Sequence, residues 1–158
     1  MTFFKPLLRF HLVLLLALSA SACAPKFYQR TTVALETGDD EGVQVHYGEL
    51  DSCLLRQQVP SEYIVRRPRY TVQIRPVPAM NEPASIELRL QAGADPALRF
   101  DDIAAQPPAL YADTGVRYLV PTTALKKTLA FTVLRGSEEL GHERYALTPD
   151  HCRVLSPN

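Results

Sequence analysis

Apolar and polar residues alternate with a period of two along most of this chain, and that period commits it to strands with one buried face. The clearest stretch is Tyr70-Thr71-Val72-Gln73-Ile74-Arg75, with Tyr70, Val72 and Ile74 on one side and Thr71, Gln73 and Arg75 on the other. Ile86-Glu87-Leu88-Arg89-Leu90-Gln91 repeats the pattern and is its expected partner strand. The connection Pro76 to Ser85 holds three prolines and Asn81, which predicts loop. Thr31 to Thr37 and Val43 to Tyr47 read as strands joined by the turn Gly38-Asp39-Asp40-Glu41-Gly42, and Val116 to Val120 as a further strand.

A final hairpin is expected from Lys127 to Leu147, turning at Arg135-Gly136-Ser137-Glu138-Glu139. Leu140 falls on one parity of the return strand, and Tyr145 and Leu147 on the other. A bulge near Gly141 would bring all three to the core. One stretch breaks the period. Leu50, Cys53 and Leu54 recur at i, i+3 and i+4 ahead of Pro60, which predicts a short helix over Glu49 to Gln58.

Thirteen prolines, seven glycines and no tryptophan fit short strands and many turns. The fold class expected is all-β, an antiparallel β-sandwich, broadly immunoglobulin-like, with at most one short helix. A small barrel is the alternative.

The N-terminus carries a different signal. Lys5 and Arg9 precede a short apolar core, Leu12 to Leu18, and Ala20-Ser21-Ala22 leads into Cys23. This order resembles the lipobox of bacterial lipoprotein precursors. The resemblance implies removal of residues 1–22, acylation of Cys23 as the new N-terminus, and attachment to a bacterial envelope membrane by lipid. Ala24 after the cysteine implies the outer membrane, by analogy with sorting in didermic bacteria. Ala20 stands where members of the class usually carry Leu, and Ala20-Ser21-Ala22 also fits ordinary signal peptidase, which would release a soluble product. Cysteine arithmetic favours lipidation: of Cys23, Cys53 and Cys152, acylating the first leaves the other two to pair in an oxidising compartment. A transmembrane reading fails on length, because a bilayer needs about 20 apolar residues. Residues 23–30 are then a tether and 31–158 a single domain.

With Lys5 and Arg9 removed, 15 basic face 17 acidic residues, a balance that does not point to nucleic acid. The excess of basic residues lies between Cys53 and Arg99. There Arg66, Arg67 and Arg69, flanked by Tyr63 and Tyr70 and followed by Arg75, form the candidate binding site, since guanidinium forks hold phosphates and carboxylates. Pro68 places the cluster at a sheet edge or in a loop. The plainer reading is a solvated edge strand guarded by charge.

Catalytic and metal motifs fall short. His142-Glu143-Arg144-Tyr145-Ala146 begins like H-E-x-x-H but ends in Ala146, so no metal or cofactor is expected. Gly136-Ser137-Glu138 lacks the second glycine of G-x-S-x-G. Asp101-Asp102 and Glu138-Glu139 are sequence neighbours, which a strand points to opposite faces. The function expected is a lipid-anchored, non-catalytic binding or assembly module, whose partner is an envelope protein or an anionic envelope component. Two alternatives are an inhibitor that plugs an enzyme with the Pro76 to Ser85 loop, and a hydrolase of wall or surface polymers.

Overall fold

The structure is a computed structural model that describes residues 26–37, 41–52, 55–80 and 82–156. These form eleven strands: β1 (Lys26–Glu36), β2 (Val43–Ser52), β3 (Leu55–Arg67), β4 (Tyr70–Val77), β5 (Ala79–Met80), β6 (Ser85–Gln91), β7 (Pro96–Phe100), β8 (Leu110–Ala112), β9 (Gly115–Pro121), β10 (Thr128–Arg135) and β11 (Glu138–Ser156). A 3₁₀ turn, Thr122–Ala124, follows β9. The strands make two antiparallel sheets, a five-stranded one ordered β5-β1-β11-β10-β7 and a six-stranded one ordered β2-β3-β4-β6-β9-β8.

Residues Tyr28–Val154 form one compact unit, and it holds the sandwich. The expected signal peptide and Cys23 lie outside the described residues. So does the expected Cys53–Cys152 bridge, because Cys53 is not described and only the backbone of Cys152 is. The stretch read as a tether is in part strand, since β1 begins at Lys26.

Period-two alternation becomes burial. Val72 and Ile74 of β4, and Ile86, Leu88 and Leu90 of β6, are fully buried, and Val72 opposes Leu90 as Ile74 opposes Leu88. Leu129, Phe131 and Val133 of β10 meet them from the other sheet in one continuous core. At about 25 cal/mol per Å² of apolar area, this shared face is the main term holding the sheets together.

Two expectations need correction. Glu49 to Gln58 is not a helix: Glu49 pairs with Gln58, Leu50 with Gln57, Asp51 with Arg56 and Ser52 with Leu55, so the segment is the far end of the β2–β3 hairpin. Spacing at i, i+3 and i+4 over a few residues cannot outweigh ladder hydrogen bonds that run the length of two strands. The Pro76 to Ser85 connection is not loop throughout, because Ala79 and Met80 pair with Thr31 and Arg30 as edge strand β5. The strands expected at Thr31 to Thr37 and Val43 to Tyr47 form as β1 and β2, which belong to different sheets. The bulge does form: Val133 pairs with Gly141 and Leu134 with Glu139, leaving Leu140 as the extra residue.

Candidate functional site

The two ends of the sandwich are built differently. At the end carrying the β3–β4 and β10–β11 turns, the sheets are tied by a buried carboxylate. Glu143 of β11 shares the inward parity of Tyr145 and Leu147 and is only 4% exposed. Arg67, at the end of β3, donates Nε to Glu143 Oε1 at 2.7 Å and Nη2 to Oε2 at 2.9 Å. The Tyr70 hydroxyl donates to Oε1 at 2.6 Å, and the Tyr145 hydroxyl to Oε2 at 2.6 Å. Each carboxylate oxygen therefore accepts two hydrogen bonds, the condition under which a buried charge is tolerated.

The electrostatics follow from that geometry. Burial pushes the Glu143 carboxyl up, but hydrogen bonds from Arg67, Tyr145 and Tyr70, with the Arg67 charge, outweigh it and leave the group below the usual carboxylate range. Burial and the hydrogen bond to Glu143 raise the Tyr70 phenol. Gly141 makes room for this contact, since a Cβ there would lie 2.5 Å from the Tyr70 hydroxyl oxygen and 3.0 Å from its ring.

Two further tyrosines link the sheets. The Tyr63 hydroxyl of β3 accepts from Leu35 N at 3.0 Å and donates to Leu35 O at 3.2 Å, and the Tyr118 hydroxyl of β9 accepts from Leu98 N at 3.0 Å. Burial is the leading cause that raises both phenols, which stay neutral as these bonds require.

The expected arginine site is thus dispersed. Arg67 and Tyr70 meet, but on Glu143, inside the protein. Tyr63 is 2% exposed and belongs to the core rather than to a flank of the cluster. Arg66 donates to the Gln44 side chain, and Arg69, in the β3–β4 turn, pairs with Glu138, which Arg135 also holds. Arg69 and Arg135 keep the Glu138 carboxyl below its ordinary value. Successive strand residues point to opposite faces, so Arg66 and Arg67 cannot share one surface. Missed by the sequence reading were Glu143 and the partner it gives Arg67. Parity carried the signal, because residues 143, 145 and 147 share one face of β11, as 63, 65 and 67 share one face of β3.

The other end is open. Two adjoining cavities of about 670 and 520 Å³ share Val33 and Pro149 and together form a cleft. The larger lies between β1 and β11 on one side and β2, β3 and β4 on the other; Ala34, Gly48, Pro60, Pro76 and Pro149 are among its walls. Pro60, Pro76, Pro78 and Pro149 give this cleft much of its apolar wall. Arg75, alone of the expected binding residues, lines this cleft, 3.8 Å from Glu62. Glu49 and Asp150 add carboxylates to its rim. Among the described residues no strand pairs with the outer edge of β2, which runs along it, and Tyr47 on that strand is 63% exposed. Among the described residues no group of three or more His, Cys, Asp or Glu side chains converges on a metal site; His142 instead sits 2.7 Å from Asp101 Oδ2.

No family model, no curated protein and no solved structure matches this chain.

Proposed function

We propose that the protein is a lipid-anchored, non-catalytic binding module of a bacterial envelope, attached through Cys23 and engaging an extended segment of a partner polypeptide in the open cleft. The carrying observation is the cleft itself: a mostly apolar opening beside outer strand β2, whose free edge can take up another strand's hydrogen bonds. Size supports this, since both cavities fall in the range of about 300–1,000 Å³ usual for binding sites. Cys53 and Cys152, oxidised to one another, would brace the fold in the same compartment. Ala24 directs the reading toward the outer membrane.

Anchorage is tested by fractionation and intact mass. Cys23→Ala is expected to leave a folded domain that no longer sediments with membranes, because two or three acyl chains anchor stably and no other lipid is attached. A wild-type protein that is soluble, or lacks the diacylglyceryl mass, rejects the anchor. Binding is tested by affinity capture from native membranes with acylated wild type and with Ala34→Trp, which fills the larger cavity. A discrete envelope partner held by wild type and lost by Ala34→Trp, at equal thermal stability, is the expected result; equal capture rejects the cleft.

One observation favours a hydrolytic reading: Glu49, Glu62 and Asp150 line the same cavity. It requires turnover of a wall or surface polymer by the purified protein, abolished by removing one of these carboxylates.

A further inference from the structure

The outer face of the six-stranded sheet holds a second depression, of about 450 Å³, which shares no lining residue with the cleft. Ladder register explains its composition. Gln73 of β4 opposes Arg89 of β6, Arg89 opposes Arg117 of β9, and Arg117 opposes Leu110 of β8. One outward row therefore sets two arginines directly across from each other. Like charges in that relation destabilise a sheet, so the pair is a cost to the fold unless something anionic sits over it.

Protein carboxylates fill that role only in part, through Glu87 on Arg89. The neighbouring row is compensated: Glu62 faces Arg75, and Glu87 accepts from Arg89 Nε at 2.6 Å. That bond leaves the terminal nitrogens of Arg89 available, and no ion pair or hydrogen bond engages Arg117 among the described residues. The depression is lined by Gln73, Gln91 and Thr114 beside the two arginines, and contains neither Asp nor Glu. At its β8 rim Leu110, directly across from Arg117, is 47% exposed.

We propose that this face binds an anionic saccharide. The paired guanidinium groups take the oxyanion, whether a uronate carboxylate or a sugar phosphate. Gln73, Gln91 and Thr114 offer the mixed donors and acceptors that ring hydroxyls need. Leu110, on the outward face directly across from Arg117, supplies an exposed apolar surface for the C–H face of the ring. A bare anion would use the arginines and leave this rim idle, which is why a saccharide fits better than free phosphate. The inference is independent of the cleft and stands or falls without it.

Calorimetric titration of the intact acylated protein in detergent tests it with four probes: trigalacturonate, glucose 6-phosphate, maltotriose and inorganic phosphate. Either or both anionic sugars should bind, whereas maltotriose should not; the member that binds identifies the oxyanion. Arg117→Gln should weaken binding at least tenfold, and Arg89→Gln likewise. Leu110→Ser should weaken sugar binding while leaving any phosphate binding unchanged. Glu87→Gln should tighten binding several-fold, because it releases Arg89 Nε and removes a competing charge, a gain no misfolded variant can imitate. Equal binding of maltotriose, full affinity in Arg117→Gln, phosphate as tight as the anionic sugars, or binding of neither anionic sugar would overturn the proposal.

Discussion

A carboxylate with 4% exposure is costly unless its lone pairs are engaged, and Glu143 meets that condition through Arg67, Tyr70 and Tyr145. Removing the charge leaves the Arg67 guanidinium, one quarter exposed, without its counter-ion. Glu143→Ala should therefore lower stability by about 3 kcal/mol, and Glu143→Gln by less, in denaturant titration. The pH dependence has a definite sign. Folding holds the Glu143 carboxyl below its unfolded value of about 4.3, so its contribution is complete above that value and is lost as pH falls through the lower folded one. Wild type should lose stability on acidification below about pH 4, and Glu143→Gln should show a shallower loss over the same window. An identical acid limb in both proteins would mean that other groups set it. Glu143 was legible from parity alone, while the H-E-x-x-H template drew attention to its neighbour His142. Arg67 is the opposite case. Its sequence neighbours Arg66 and Arg69 invite a single basic surface, and only the inward parity of Tyr63, Val65 and Arg67 separates it from them.

Elements were legible where both faces of a strand are distinct. β4, β6, β9 and β10 each set buried apolar side chains against a more exposed face or follow a continuous apolar run, and their pairing partners follow from it. Shorter pieces carry too few residues to show a period: β5 has two, and β8 three, all exposed. The far end of the β2–β3 hairpin misleads for a physical reason. On the Leu55 side of Tyr63, β3 pairs with β2 but no longer with β4, so the sheet narrows to two strands there. The sequence of that stretch is then free of the strict alternation that a core imposes. The bulge at Leu140 gives an element-level test. It seats Gly141 under the Tyr70 ring, and Gly141→Ala would drive a Cβ into a buried tyrosine that cannot move without leaving Glu143. A loss of about 1–3 kcal/mol is expected, as for other overpacked sites. Adding Tyr70→Phe should then cost less than in wild type, because the displaced hydroxyl has already lost its bond. Additive losses would show that Tyr70 keeps its place despite the methyl group.

At the scale of the molecule, the sandwich is pinned at one end by Glu143 and open at the other, where prolines line the cleft. The immunoglobulin-like expectation reaches as far as two packed antiparallel sheets, and the strand order is this chain's own. Sequence could announce the sheets but not the cleft, since a cleft depends on which strand ends meet across the sandwich. The proposed Cys53–Cys152 bridge would close a loop of 98 intervening residues. Its removal by Cys53→Ser or Cys152→Ser should cost about 2–5 kcal/mol, with no further loss in the double mutant. Thiol titration of unfolded, unreduced protein checks it directly, and free thiols at both positions would refute it.

That the open end is the working end is tested most directly by photo-crosslinking in native membranes. A photoreactive side chain is placed at Tyr47 or Ala34, beside or within the cleft, and at Ser137, in the turn between β10 and β11 at the pinned end. The acylated protein should give one discrete higher-mass adduct from Tyr47 and Ala34 and none from Ser137. The same adduct from Ser137, or none from the cleft positions, would contradict the account.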